Sequence, residues 1–214
     1  MYDDWDISES LIQEKLAESQ DRLNEEDYLS AFLSDAPIPA AVLVPLLRAP
    51  IKLGGKPAWH LLLTRRSDRL AEHRGQVAFP GGRCDSTDVT PEATALREAH
   101  EEIGLDPTCV QILGRLANMW TISNYSITPV VAVVPWPFEI ILAEHEVSRV
   151  FTIPLTWLAN PSHLEIRQRT IPSPYSLRIK SENHPVMYFH PYDGEVLWGV
   201  SAEITNNLIR ILKQ

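Results

Sequence analysis

Arg97-Glu98-Ala99-His100-Glu101-Glu102-Ile103-Gly104-Leu105 is the stretch on which the reading of this chain turns. An α-helix advances about 100° per residue, so Glu98, Glu101 and Glu102 fall within roughly 100° of one another. Leu96, Ala99 and Ile103 gather on the opposite side, with Ala93 nearby. One side of this helix is therefore suited to a core, while the other collects three carboxylates. Like charges three and four positions apart repel, by a few tenths of a kcal/mol per exposed pair (~0.2–0.5). A hard divalent cation relieves that repulsion, because Mg²⁺ prefers carboxylate, water and phosphate oxygens. A solvated acidic surface is the plain alternative for such a run.

Outward from this stretch, the helix has clear ends. Thr90 can cap it, Pro91 suits its first position, Glu92 favours the positive end of the dipole, and Gly104 suits the left-handed site after the last turn. Upstream, Ala40 to Leu47 is short, apolar and partly β-branched, which predicts a buried strand. Gly54 to Pro57 predicts a turn, and Trp59 to Thr64 and Gln76 to Phe79 predict two further strands, the latter ended by Pro80-Gly81-Gly82. Downstream, strands are expected at Val110 to Leu116, Ile127 to Val134 and Val150 to Leu155, with a short turn or helix around Thr156 to Ala159. Residues 161–193 alternate strand-like runs with proline turns. Gly199 to Lys213 predicts a C-terminal helix with Ile204, Leu208, Ile211 and Leu212 on its inner side. At the other end, Ser8 to Leu23 predicts an amphipathic helix facing solvent rather than the core, followed by a polar lead-in. The fold class is therefore α/β (α+β), a mixed sheet with helices against it. One domain over residues 37–214 follows a helix and lead-in over residues 1–36.

The bulk properties narrow the function. The chain of 214 residues is 44% hydrophobic, enough for a core. No apolar run approaches the roughly 18 residues of a membrane span, and the acidic start Met1-Tyr2-Asp3-Asp4-Trp5-Asp6 is unlike a signal peptide. A cytoplasmic protein without a membrane partner is expected. The formal net charge of −9 argues against nucleic acid as a partner. It also requires local cations wherever a phosphate is to be bound. Cys84 and Cys109 are too few and too far apart for a zinc site or a disulfide framework, and both are expected as free thiols. His73, His100, His145, His163, His184 and His190 show no metal-ligand spacing.

From Gly82 to Leu105 the chain resembles the signature of the Nudix hydrolase family, G-x5-E-x7-R-E-U-x-E-E-x-G-U with U apolar. Arg97-Glu98-Ala99, Glu101-Glu102 and Gly104-Leu105 match every fixed position of its second half. Asp88 stands where the family usually has Glu, and eight residues rather than seven separate it from Arg97. The resemblance implies a Nudix-type α/β/α sandwich and a Mg²⁺ (or Mn²⁺) site at Glu98, Glu101 and Glu102. Arg97 would pair with a helix carboxylate to hold it in place. Glu98, or an acid from another loop such as Glu144 or Glu146, would be the general base.

A second likeness lies just upstream. Leu62-Leu63-Thr64-Arg65-Arg66-Ser67 followed by Gly75-Gln76-Val77-Ala78-Phe79-Pro80-Gly81-Gly82 is similar to the motif LLTxRS-x3-R-x3-G-x3-FPGG of the coenzyme A pyrophosphatase branch. Ala71 occupies the place where that branch usually carries Arg, with Arg69 and Arg74 close by. Ser123 to Val131 resembles the same branch, with Asn124 in place of a frequent Gly. The implied reaction is hydrolysis of the diphosphate of coenzyme A, or an acyl derivative, to 3′,5′-ADP and 4′-phosphopantetheine. Arg65, Arg66, Arg74 and Arg83 would meet substrate phosphates, and Gly81 and Gly82 would let backbone approach the diphosphate. Surface ion pairs with the acidic N-terminal helix are the structural alternative for these arginines. Trp120, Tyr125 and Trp198 are candidates for stacking on adenine. The carboxylate helix alone does not distinguish coenzyme A from ADP-ribose, a dinucleotide or a nucleoside triphosphate. A non-catalytic nucleotide-sensing domain is a further alternative, and a homodimer stays open.

Overall fold

In the computed structural model, residues 7–20, 36–51, 55–171, 173 and 182–214 are described. The predicted Leu23 end of the first helix, the lead-in to residue 35 and the Gly54 turn position lie outside them.

The longest strand, β1 (Ile38–Pro50), organises the sheet. Its first half pairs antiparallel with β4 (Gly81–Arg83), its second half with β2 (Pro57–Arg66), and along its other side it runs parallel to β7 (Tyr125–Val133). The short β3 (Val77–Ala78) adds to β2. β5 (Gln111–Arg115) and β6 (Met119–Trp120) pair antiparallel with β7, and β8 (Val147–Pro154) lies along the far side of β2. These make one mixed sheet of 8 strands. The predicted third strand is thus brief, and Gly81-Gly82, read as its terminator, begins a strand of its own.

Both faces of the sheet are covered, which is why β1 and β2 read as nearly continuous apolar runs. Alternate residues such as Leu43, Leu62, Val130 and Ala132 pack against Ala95, Ala99 and Ile103 of α2 (Pro91–Ile103). Val44, Leu61, Leu63 and Val131 join the opposite core. That second core is filled by α1 (Glu9–Gln20) and α4 (Val200–Lys213), with the single turn α3 (Leu155–Leu158) at its margin. The result is an α/β/α sandwich.

The N-terminal helix departs from the solvent-facing one expected at Ser8 to Leu23. α1 does not face solvent, because Ile12 and Leu16 are wholly buried in the second core. They lie one turn apart and point the same way. The chain leading into the helix is tied down as well, since Ile7 O accepts hydrogen bonds from Trp59 Nε1 at 2.8 Å and Arg48 Nη2 at 3.1 Å. α4 matches its prediction, with Ile204, Leu208 and Leu212 buried and Ile211 partly so. Residues 161–193 contribute a hairpin of β9 (Leu164–Thr170) and β10 (Asn183–Phe189) outside the main sheet. Cys84 and Cys109 are free thiols. No helix of the described residues is long and apolar enough to cross a membrane.

Candidate active site

The ends of α2 are those the sequence predicts. Thr90 Oγ1 accepts from Ala93 N at 3.2 Å, Pro91 opens the helix, and Gly104 closes it at φ +73°. Arg115 grips Glu92 through both carboxylate oxygens and ties the first turn to β5. These contacts fix the rotation of α2 about its axis, and rotation decides which carboxylates face the sheet.

The three glutamates separate. Glu102 is turned inward and is only 3% exposed. Its Oε2 has no hydrogen-bond partner. Burial pushes its pKa up to about 8, opposed by the positive charge of Arg66 and a hydrogen bond to the Gly81 backbone, and reinforced by Glu98 and Glu146. Glu98 is half-buried. Loss of water raises its pKa, Arg97 counteracts that, and Glu101 and Glu146 add to it. Glu101 points outward, its side chain 57% exposed, and meets only the rim through Arg97. The helix thus does not present three equivalent charges to solvent. A step of 100° puts Glu102 under β4 and leaves Glu101 outside. Among the described residues, no three His, Cys, Asp or Glu side chains close on one point as a metal cage.

The glycines of β4 are what admit this arrangement. A Cβ on Gly82 would lie 2.4 Å from Glu98 Oε1, and one on Gly81 would lie 2.4 Å from the Ala41 carbonyl oxygen. Any larger residue at Gly82 displaces the Glu98 carboxylate. One at Gly81 breaks the pairing of β4 with β1.

Arg97 is the clamp. Its Nη1 donates to Glu98 Oε1 at 2.9 Å and Glu101 Oε2 at 3.1 Å, and its Nη2 donates to the Arg83 carbonyl at 3.1 Å. Asp88 takes the remaining side, accepting from Nη2 at 2.9 Å and Nε at 3.2 Å. Asp88 also accepts from Thr94 Oγ1 and from Asp85 N, each at 2.9 Å. The Arg97 guanidinium holds the Asp88 carboxyl far below the usual carboxylate range. The shorter acid and the extra residue of the loop therefore still deliver a bidentate partner to Arg97.

The predicted phosphate-binding arginines divide too. Arg66 comes to the carboxylates: its charge acts on Glu102, and its Nε is buried without a hydrogen-bond partner. Arg65 does not. It is held by Asp68 at 3.0 Å and Ser148 Oγ at 3.0 Å, with Glu195 at 3.7 Å. Glu195 is also paired with Arg149 at 3.3 Å. These partners, not the N-terminal helix, satisfy Arg65. Gly75, at φ +67°, leaves room for the pair, since its Cβ would meet Asp68 Oδ1 at 3.0 Å and Arg65 Nη2 at 3.1 Å. Arg83 lies over the Tyr125 ring and donates to its hydroxyl from Nε at 2.7 Å. Arg74 is exposed. Trp198 stacks on Tyr188 and Trp120 lies on β6.

Of the acids suggested from other loops, Glu146 enters the field of both Glu98 and Glu102. It is the residue just before β8, and its backbone oxygen is fixed by Ser67 N at 2.7 Å. The tie of Arg65 to Glu195 has no local signal in the sequence.

The sequence profile of the NUDIX domain family matches residues 38–173. The chain is 36% identical over 195 residues to a Nudix hydrolase NudL of Klebsiella pneumoniae, covering 87% of this chain and 93% of that protein. It is 38% identical over 169 residues to NudL of Escherichia coli K12, covering 79% and 80% respectively. Among solved structures, the Nudix hydrolase RenU of M. smegmatis is similar at 29% identity and a TM-score of 0.45, over 57% of this chain and 74% of that one. The chain belongs to the Nudix family. It is a Nudix hydrolase, acting on pyrophosphate bonds, and enzymes of this family generally use divalent metal ions such as Mg²⁺.

Proposed function

We propose that the chain is a Mg²⁺-dependent pyrophosphohydrolase of coenzyme A or its acyl derivatives, releasing 3′,5′-ADP and 4′-phosphopantetheine. The observation that carries the reading is the inward pair Glu98 and Glu102 under Gly81-Gly82, with Arg66 beside Glu102. The segment resembling the coenzyme A branch forms β2, β3 and β4 and carries both Arg66 and the Gly81-Gly82 pair.

The donor set fits a hard divalent cation. A buried carboxylate oxygen without a donor, close to a second carboxylate and in the field of a third, is costly unless protonated or bound to a cation. Glu98 and Glu102 would hold the ion directly, with Glu101 at the rim. When bound, it neutralises charge on the phosphoryl oxygens.

The chain's own groups supply the rest. Arg97 and Asp88 hold Glu98 in orientation. Arg66, whose charge acts on Glu102, would meet a phosphoryl oxygen, and Glu146, in the field of Glu98 and Glu102, would accept the proton of the attacking water. Water bonds to one phosphorus, the bridging oxygen departs with the other phosphate, and the proton passes to the carboxylate.

The test is a panel of coenzyme A, ADP-ribose, a diadenosine polyphosphate and nucleoside triphosphates with Mg²⁺, ranked by kcat/KM. Coenzyme A is expected to lead. A different leading substrate would overturn the assignment to coenzyme A. Tight nucleotide binding without any turnover would make the domain a sensor.

A further inference from the structure

Consecutive side chains on a strand point to opposite faces of the sheet. Yet a cleft of about 580 Å³ is lined by Arg149, Val150, Phe151 and Thr152, four successive residues of β8, with Trp136 and Tyr192 beside them. Val150 packs toward the core under α2, whereas Phe151 belongs to the opposite core. Only a cleft that runs along the strand's own edge can touch all four. Among the described residues β8 pairs with β2 alone, so this edge carries backbone N–H and C=O groups without a neighbouring strand.

We infer that this edge groove receives an extended, amide-bearing arm of the substrate, of the pantetheine type, laid alongside β8 as an added strand. The inference rests on the coenzyme A reading above and names where the non-nucleotide half of that substrate lies.

Three observations support it. First, the groove lies along the strand that leads away from the candidate active site. Glu146, which acts on Glu98 and Glu102, immediately precedes β8. Arg149 follows three residues later, about 10 Å along an extended strand. Second, the charged groups at the groove are paired with one another. Arg149 Nη1 donates to Asp193 O at 3.1 Å and to Glu195 Oε1 at 3.3 Å, its Nη2 meets Asp193 Oδ2, and Glu195 also faces Arg65. Such a rim suits an uncharged chain better than a second phosphate. Third, the chemistry is complementary. A pantetheine arm is uncharged and carries two secondary amides and a hydroxyl among methyl and methylene groups. The strand edge offers partners for the amides, and the partly exposed Trp136 offers apolar surface for the methyl and methylene groups. A ribose or a second nucleoside has no such amide-bearing chain.

Backbone NMR of the full chain in EDTA, where turnover stops, tests this directly. Saturating coenzyme A, and pantetheine alone, should shift the amide signals of residues 149–152, while 3′,5′-ADP leaves them in place. In steady-state assays with Mg²⁺, Trp136→Ala should raise KM for coenzyme A about tenfold, with kcat within about twofold and the inhibition constant of 3′,5′-ADP unchanged. Coenzyme A that is hydrolysed but leaves these amides unmoved overturns the inference and spares the broader reading. So does an equal response to 3′,5′-ADP. Signals that change with protein concentration alone would assign the edge to a second copy of the chain. Failure to hydrolyse coenzyme A at all removes both readings.

Discussion

Two charged regions lie side by side in this molecule and are built to opposite rules. Around Arg65 opposite charges meet: Asp68 and Glu195 face Arg65, and Asp193 and Glu195 face Arg149. Around Glu102, negative groups gather with too few positive ones. Glu98 and Glu146 oppose its ionisation, Arg66 alone favours it by charge, and one carboxylate oxygen is left without a donor. The first region is scaffold, balanced without help. The second is balanced only by a proton or by a bound cation. The LLTRRS segment spans both, since Arg65 belongs to the first region and Arg66 to the second.

The largest expected effect breaks the unbalanced side. Glu102→Gln should lower kcat by at least about 100-fold with Mg²⁺ present, with the fold intact by circular dichroism. Next comes the clamp. Arg97→Lys cannot serve Asp88, Glu98 and Glu101 at once, and it should cost about 10- to 100-fold in kcat/KM. Gly82→Ala belongs to the same range, because its methyl group takes the place of the Glu98 carboxylate. Either substitution leaving kcat/KM unaltered would remove the positioning role given to that residue.

A smaller effect is read from pH. The pKa of Glu102 is raised in the folded chain from the ordinary 4.5 to about 8. The stability contributed by its protonated form is complete below about pH 4.5 and lost as pH rises through about 8. The cation-free protein should therefore lose stability over that interval. Mg²⁺, which competes with the proton, should raise Tm more at pH 8.5 than at pH 6. An equal rise at both pH values would argue against a buried carboxylate as ligand. The smallest effect belongs to the balanced side. Asp68 is largely exposed, and Asp68→Ala should change stability by no more than about 1 kcal/mol in chemical denaturation.

Sequence reading succeeded where neighbours along the chain set the outcome. α2 was legible to the residue because Thr90, Pro91 and Gly104 act through local backbone bonds. The longer strands of the sheet were legible from their apolar runs, whereas β4, a Gly-Gly-Arg strand, and the two-residue β6 were not. What failed depends on contacts between distant segments. Ile12 and Leu16 look like a thin stripe among polar residues, and only the underside of the sheet makes them core. Glu101 and Glu102 are adjacent and chemically identical in the chain, and the overlay of β4 buries one and leaves the other out. Ser148, which helps hold Arg65, lies 83 positions away from it. No periodicity within either segment could announce that contact.

The central claim is that Glu98 and Glu102 form an incomplete site that a divalent cation completes. Titration of Mn²⁺ into the full chain at pH 8.5, followed by electron paramagnetic resonance, tests it most directly. The parent protein should bind the ion, and Glu98→Gln and Glu102→Gln should each weaken binding at least about tenfold. Undiminished Mn²⁺ binding in both variants would contradict the account.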